Sequence, residues 1–137
     1  MKPVILKPII GIVSPCYNEE QLLESTEKQL RNLILDLVER ELISEKSFIT
    51  FIDDGSKDGT WDIIQKKASK SIAVKGLKLA ANVGHQNALL AGLLTYNSDA
   101  DALISIDADL QDDVRIIEAM IQKYKSGIDV VYGVRKE

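Results

Sequence analysis

Short apolar runs and longer amphipathic runs alternate along the whole chain. The short runs are rich in β-branched residues, as buried strands are, and the longer runs place apolar residues at spacings of three and four, as helices with one buried face do. We predict strands at 9–14, 47–52, 73–79, 102–106 and 128–132, and helices over 20–42, from Thr60, over 85–96, and from a cap at Asp112 or Asp113 to Ser126 and Gly127. Pro15 has no amide hydrogen and is expected to stop the first strand.

Regular alternation of strand and helix implies right-handed crossovers and a mostly parallel sheet with helices on both faces. We therefore predict an α/β protein with a Rossmann-like, three-layer α/β/α architecture. With 137 residues, of which 45% are hydrophobic, the chain is long enough for one domain with a real core and too short for two domains of ordinary size.

The net charge is −4, and no cluster of lysine or arginine stands out in the sequence. This argues against a protein whose main role is to bind nucleic acid or an anionic membrane surface, so anionic ligands would be held locally by a metal ion or by the backbone. Cys16 is the only cysteine, which excludes a disulfide framework. It is most simply a small buried side chain.

No segment predicts export or membrane insertion. A short apolar segment near the amino terminus meets the polar residues 18–20 without a cleavage site between them. A membrane span needs about 20 mostly apolar residues, and the longest stretch without charged side chains, 79–98, contains asparagine, glutamine and histidine. We expect a cytoplasmic protein without a transmembrane helix in this chain.

Two carboxylates, Asp107 and Asp109, follow the fourth predicted strand. Alternate side chains of a strand point to the same side, so the two would face one point if the strand stays extended. Paired carboxylates suit Mg²⁺ or Mn²⁺, which are most useful where the phosphate oxygens of a substrate complete the coordination. The alternative is a solvated turn, because Asp-x-Asp is common at strand ends.

Polar segments follow every predicted strand. In an open parallel sheet the ligand binds outside the carboxyl ends of the strands, so these segments are expected to meet at one edge and form a site. They are residues 15–19, 53–56, 82–84, 107–109 and 133–135.

In this order the segments resemble the motifs of glycosyltransferase family 2. The matching motifs are PCYNEE at 15–20, IDDGSKDGT at 52–60, NVGHQ at 82–86, DADLQD at 107–112 and GVR at 133–135. Each motif is modestly specific, whereas five in sequence are highly specific. Within the family the chain is most similar to the polyprenyl-phosphate branch, which includes dolichol-phosphate mannose synthases and bactoprenol glucosyltransferases.

The resemblance implies a GT-A fold and gives roles to individual residues. It implies that Asp107, Asp109 and Gln111 hold Mg²⁺ or Mn²⁺ on the diphosphate of the donor. It also implies that Asp54 accepts a hydrogen bond from the nucleotide base, whereas Asp53 supports its loop. The residues that would contact the donor are Pro15, Tyr17, Glu19, Asp54, Asp107, Ala108, Asp109 and Arg135.

Several of these residues also have a simpler explanation. Tyr17 and Glu19 match positions beside the base and ribose, but they would also suit a half-buried strand end and an early helix turn. Arg135 matches an arginine near the phosphates, where a guanidinium can bind two oxygens. His85, the only histidine, invites a catalytic role because histidine can act as an acid or a base. A polar residue at a helix start explains it better. Turn and helix-start chemistry explains Asp58 and Thr60 better than a role as ligands.

The implied activity is transfer of a sugar from a UDP or GDP donor to a lipid phosphate, with inversion at the anomeric carbon. Residues 1–137 would form the amino-terminal, donor-binding part, with the acceptor half, the general base and any membrane helices beyond Glu137. The longer protein would work at the cytoplasmic face of a membrane, and this part alone would turn over little. Two other functions stay open: a catalytically inactive nucleotide-binding module, and a phosphate-handling α/β domain such as a phosphatase with an Asp nucleophile or a receiver domain.

Overall fold

The computed structural model describes residues 5–110 and 113–133. Strands and helices alternate there, as the sequence predicts. The elements are β1 (Ile10–Cys16), α1 (Leu23–Glu39), β2 (Phe48–Asp53), α2 (Thr60–Lys70), β3 (Val74–Lys78), α3 (His85–Tyr96), β4 (Ala102–Ser105) and α4 (Arg115–Lys125).

The four strands form one parallel sheet in the order β3-β2-β1-β4. Every residue of β1 and β2 is buried, because these central strands are covered on both faces. This explains why their sequences are almost continuously apolar rather than alternating. Since all strands run in the same direction, their carboxyl ends lie at one edge.

Helices cover both faces of the sheet and complete the predicted three layers. On one face Leu30 of α1, Ile64 of α2 and Ile117 of α4 belong to the larger apolar cluster, each at most 1% exposed. On the other face Ala88 of α3 packs in a smaller cluster with Val13 of β1. The α/β prediction is therefore confirmed.

Gly92 lets α3 approach the sheet closely. A Cβ atom at this position would lie 2.7 Å from Val13 Cγ1 and 2.8 Å from Ile52 Cγ1. Both side chains are fully buried and cannot move aside without disturbing the core. The close approach also places the start of α3 beside the ends of β1 and β2.

The first strand continues through Pro15, so the expectation that it stops there is wrong. Pro15 pairs in register with Ile52 of β2. The carbonyl of Cys16 accepts a hydrogen bond from the amide of Asp54, so the backbone groups of Cys16 face the β2 side. Neighbouring residues of a strand direct their backbone groups to opposite sides, so the nitrogen of Pro15 faces β4. Because β4 pairs only with residues 10–13 of β1, the missing amide hydrogen removes no ladder bond.

Residues 128–133 form no strand, so the predicted fifth strand is wrong for the described part of the chain. This segment runs beside α4 and β4 and lines a cavity of about 350 Å³ with them. Val130 and Tyr132 are 64% and 82% exposed. β4 is the last strand on this side of the described sheet, and residues 128–133 do not pair with its free edge.

The fourth helix ends where the sequence predicts, whereas Val114, one residue after the predicted cap Asp113, holds the N-cap position. The Asp113 carboxylate accepts a 2.9 Å hydrogen bond from the amide of Arg115, the first residue of α4. Asp112, the other predicted cap, lies outside the described residues. After the helix Gly127 adopts φ +105°, a conformation that glycine reaches without strain.

Among the described residues, the helices are all too short or too polar to cross a membrane.

Candidate functional site

The loops after β1 and β2 are joined by hydrogen bonds. Asn18, at φ +51°, donates its amide to Ser56 Oγ and accepts from the amide of Lys57, each at 2.9 Å. The amide of Glu19 donates to Thr60 Oγ1, also at 2.9 Å. These bonds hold the start of the first loop against the start of α2.

Asp58 and Thr60 belong to this loop structure, as predicted. Asp58 Oδ1 accepts from the amide of Thr60 at 2.9 Å and from its hydroxyl at 2.5 Å. Its other oxygen accepts from the amide of Glu20 at 3.3 Å. Burial raises the pKa of the Asp58 carboxyl, but the hydrogen bonds from Thr60 and Glu20 outweigh it and lower the pKa overall.

The two carboxylates after β2 have different local roles. Asp53 is fully buried and accepts from the amide of Ser56 at 3.1 Å, which confirms its predicted support of the loop. Asp54 is 3% exposed and accepts from the amides of Val83 at 2.7 Å and Gly84 at 3.2 Å. Asp54 therefore holds the loop before α3 and satisfies the hydrogen-bonding capacity of two backbone amides at the start of that helix.

Glycine makes the meeting of these two loops possible. Gly55 adopts φ +70°, and a Cβ atom there would lie 2.5 Å from the backbone nitrogen of Asn82. Backbone atoms cannot yield as a flexible side chain can, so a larger residue would separate the β2–α2 loop from the β3–α3 loop.

The Asp107–Asp109 segment is a turn. The extended strand on which the predicted shared direction of the two carboxylates depended does not continue through these residues. β4 ends at Ser105, and the amide of Leu110 donates to the carbonyl of Asp107 at 3.1 Å. Leu110 has φ +48°. The two carboxylates nevertheless line the same cavity, because Ala108 between them is anchored in the core at 3% exposure.

His85 contacts the Asp-x-Asp turn. It is the first residue of α3, as predicted, and its Nε2 lies 3.2 Å from Oδ1 of Asp107. The side chains are 56% and 50% exposed. The sequence indicates a polar helix start but does not reveal this pairing, because the two residues lie on different loops.

The strand-end loops surround a cavity of about 440 Å³ at the carboxyl edge of the sheet. All predicted donor-contact residues that the structure describes line it: Pro15, Tyr17, Glu19, Asp54, Asp107, Ala108 and Asp109. Gln111 and Arg135 lie outside the described residues. The lining also includes Cys16, Asn82, Gly84 and His85, which sequence reasoning left out of the site although they belong to the same loops.

The cavity is acidic. Burial, followed by the charges of Asp109 and Asp58, raises the pKa of the Glu19 carboxyl. Burial also raises the pKa of the Cys16 thiol, which agrees with an inert buried side chain rather than a nucleophile. A cation in the cavity would relieve the repulsion between the carboxylates.

The donor set fits a divalent cation that a substrate helps to bind. Within residues 5–110 and 113–133, no three or more His, Cys, Asp or Glu side chains are grouped closely enough to hold a metal ion by themselves. Asp107 and Asp109 offer two carboxylates, and Mg²⁺ or Mn²⁺ commonly combines one or two carboxylates with substrate phosphates and water. The residues present therefore fit such an ion.

A family model and individual relatives point to the same protein family. A family model described as glycosyl transferase family 2 matches residues 11–137. The chain is 51% identical over 130 residues to the uncharacterized glycosyltransferase YkoT of Bacillus subtilis, covering 95% of this chain and 39% of that protein. It is 38% identical over 128 residues to the prophage bactoprenol glucosyl transferase homolog of Escherichia coli, covering 93% and 39%. The chain thus spans about two fifths of the length of these relatives.

Solved structures share the fold. The mannosyltransferase PcManGT from Pyrobaculum calidifontis, in complex with GDP-Man and Mn²⁺, matches with a TM-score of 0.60 at 20% identity, over 87% of this chain and 32% of that one. S. aureus TarS in complex with UDP matches with a TM-score of 0.53 at 20% identity, over 84% and 32%. The fold is therefore that of these glycosyltransferases, as the predicted GT-A likeness implied.

Proposed function

The chain belongs to glycosyl transferase family 2, and from this premise we propose that it is the donor-binding part of an enzyme that transfers a sugar from a nucleoside diphosphate to an acceptor. The observation that carries the proposal is the acidic cavity at the carboxyl edge of the sheet, where Asp54, Asp107 and Asp109 meet. The family match favours this function over an Asp-nucleophile phosphatase or a receiver domain.

The Asp-x-Asp turn is proposed to hold the donor diphosphate through Mg²⁺ or Mn²⁺, with Asp107, Asp109 and Gln111 as ligands. Once bound, the ion would offset the negative charge that develops on the leaving nucleoside diphosphate. The presence of Mn²⁺ with GDP-Man in the mannosyltransferase structure supports this kind of ion. Arg135 would contact the same phosphates with its guanidinium.

The nucleoside is proposed to lie between the first two loops. Tyr17 is 42% exposed on the cavity wall, where its ring can stack on a base, and Pro15 and Glu19 line the same wall. Asp54 would accept a hydrogen bond from the base. Each of its oxygens keeps a second lone pair after bonding to the amides of Val83 and Gly84, so the structural bonds do not prevent it.

The acceptor is proposed to be a lipid phosphate, with inversion at the anomeric carbon and a general base outside residues 1–137. Relatives named as bactoprenol glucosyl transferases support this acceptor class. A lipid phosphate stays in the bilayer and a nucleotide sugar is soluble, so we place the longer protein at the cytoplasmic face of a membrane. Membrane contact would come through the other part of that protein.

Isothermal titration calorimetry of the chain with UDP-glucose and GDP-mannose tests donor binding. We expect binding of at least one donor that requires Mn²⁺ and is lost in Asp109→Ala. Asp36→Ala is the matched control, since Asp36 is an exposed acid on α1 that pairs with Arg40. Binding that is independent of Mn²⁺ and unchanged in Asp109→Ala would contradict the proposal.

A second experiment distinguishes the enzyme from an inactive nucleotide-binding module. The longer protein, assayed with the donor that binds and with a polyprenyl phosphate, should form glycolipid that depends on Asp107 and Asp109. Donor binding without any glycolipid would instead support the inactive module.

A further inference from the structure

The backbone on both sides of Asp107 is fixed, whereas its carboxylate is half-exposed. The amide of Ile106 donates to the carbonyl of Val13, and the amide of Leu110 donates to the carbonyl of Asp107, each at 3.1 Å. The Asp107 side chain is 50% exposed. A carboxylate in such a position exchanges between staggered rotamers unless a neighbouring group holds it, and a cation would then have to select one of them.

His85 is placed to hold this carboxylate. Its Nε2 lies 3.2 Å from Asp107 Oδ1, within reach of an N–H···O bond, and the described residues offer the carboxylate no other polar partner. A neutral imidazole donates from one nitrogen and an imidazolium from both, so the bond can form in either state. It engages one carboxylate oxygen and leaves the other available to a cation.

The backbone that carries His85 is anchored by buried groups. Asp54, which is 3% exposed, accepts from the amides of Val83 and Gly84 directly before His85. The carbonyl of Gly84 accepts from the amide of the fully buried Ala88 at 2.9 Å. A donor on such a support can restrict a carboxylate on another loop, because its own starting point does not move.

We propose that His85 is a positioning residue, which holds the Asp107 carboxylate in one rotamer so that the divalent cation meets an oriented ligand. The proposal rests on the proposed function, since it concerns the ion of the same site. Mg²⁺ and Mn²⁺ prefer oxygen ligands to imidazole, and the described residues contain no group of three His, Cys, Asp or Glu side chains able to hold an ion. His85 therefore acts through Asp107 and is not itself a ligand.

The rotamer of Asp107 can be measured in the 137-residue chain without metal or nucleotide. Three-bond couplings from the carboxyl carbon of Asp107 to its backbone nitrogen and carbonyl carbon report χ1 in NMR spectra. We expect one dominant rotamer in the parent chain, averaged couplings in His85→Leu, and the parent values again in His85→Gln, whose amide can donate in place of Nε2. Averaged couplings in the parent chain, or parent values in His85→Leu, would overturn the proposal.

Urea unfolding separates an effect on orientation from an effect on folding. A contact between two half-exposed charged or polar groups contributes little to stability, so His85→Leu should unfold close to the parent midpoint. Gln65→Leu, at an exposed position of α2 outside the cavity, controls for the added apolar surface and should change neither the midpoint nor the couplings. A large drop in the midpoint of His85→Leu alone would show that His85 supports the fold and would contradict a role in positioning.

Calorimetric titration with UDP-glucose and GDP-mannose at saturating Mn²⁺ connects the rotamer with donor binding. We expect His85→Leu to bind the donor about tenfold more weakly, the lower end of the range for groups that orient metal ligands. His85→Gln should bind it as the parent chain does. Equal affinities of the parent chain and His85→Leu would overturn the role of His85 alone. Absence of Mn²⁺-dependent binding in the parent chain would instead contradict the proposed function.

Pulsed electron paramagnetic resonance of the bound Mn²⁺ distinguishes positioning from direct coordination. An imidazole on the ion would couple its nitrogen nucleus to the electron spin. We expect the spectra of the parent chain and of His85→Gln to show no such coupling, because Asp107 and not His85 contacts the ion. A nitrogen coupling that disappears in His85→Leu would make His85 a ligand and would overturn the proposal.

Discussion

The hydroxyl of Thr26 donates a 2.5 Å hydrogen bond to the carbonyl oxygen of Ala108, the residue between the two carboxylates of the Asp-x-Asp turn. Both residues are 3% exposed, so water does not compete for this bond. Thr26 lies on α1, and the turn follows β4. The position of Asp107 and Asp109 therefore depends on a helix from a distant part of the sequence.

Thr26→Val should loosen the Asp-x-Asp turn, because it keeps the shape of the side chain but leaves the Ala108 carbonyl unpaired. We expect a loss of about 1–3 kcal/mol in the free energy of unfolding, measured in urea, and weaker Mn²⁺-dependent donor binding. Thr95→Val is the matched control, since Thr95 donates to the carbonyl of Ala91 within its own exposed helix turn. Equal effects of the two substitutions would contradict a special role for Thr26.

Asp54→Asn should destabilise the chain even without nucleotide. The amide side chain has one acceptor oxygen, so one of the bonds from Val83 and Gly84 is lost and an NH₂ group faces their amide hydrogens. We expect a loss of about 1–3 kcal/mol in urea unfolding. Asp36→Asn, at an exposed position of α1, should stay close to the parent chain. A fully stable Asp54→Asn that has lost only donor binding would show that Asp54 acts on the base alone.

Gly92→Ala should separate α3 from the sheet. The added methyl group would meet Val13 and Ile52 at less than 3 Å, and overpacking of this kind costs about 1–3 kcal/mol. Thermal unfolding followed by circular dichroism would show the change as a lower midpoint. Leu94→Ala on the same helix should have little effect, because Leu94 is 71% exposed. An unchanged midpoint for Gly92→Ala would mean that the helix can shift without cost.

Asp58 should make the free energy of unfolding depend on pH in the acid range. Its pKa is lowered in the folded chain, so its charge stabilises the fold above the ordinary Asp pKa of about 3.9, and this contribution is lost as the pH falls through the folded value. We expect Asp58→Asn to cost less than about 1 kcal/mol at pH 7, since solvent screens a partly exposed group. The difference from the parent chain should shrink as the pH is lowered below about 4.

Urea unfolding at a series of pH values measures this difference. Asp62→Asn controls for the loss of one carboxylate, because Asp62 is an exposed acid in the first turn of the same helix. A difference between Asp58→Asn and the parent chain that stays constant from pH 7 to below the folded pKa would contradict the predicted linkage.

Local signals account for the correct predictions. Thr60 and His85 begin helices where turn residues precede an amphipathic run, and Asp58 acts on its immediate neighbours. Such features depend on a few adjacent residues, which the sequence displays directly. The predictions for Pro15 and for a strand at 128–132 are wrong because both depend on which strand lies next in the sheet.

The amino-acid sequence by itself determined the order of strands and helices and the edge at which the polar loops would meet, because periodicity and strand direction are properties of neighbouring residues. Only the tertiary structure decided what holds those loops in place. The bonds from Thr26 to Ala108 and from Val83 to Asp54 join residues 82 and 29 positions apart. No local pattern encodes such pairs, since they depend on how the helices pack against the sheet. The ion pair of Glu27 on α1 with Lys67 on α2 was decided in the same way.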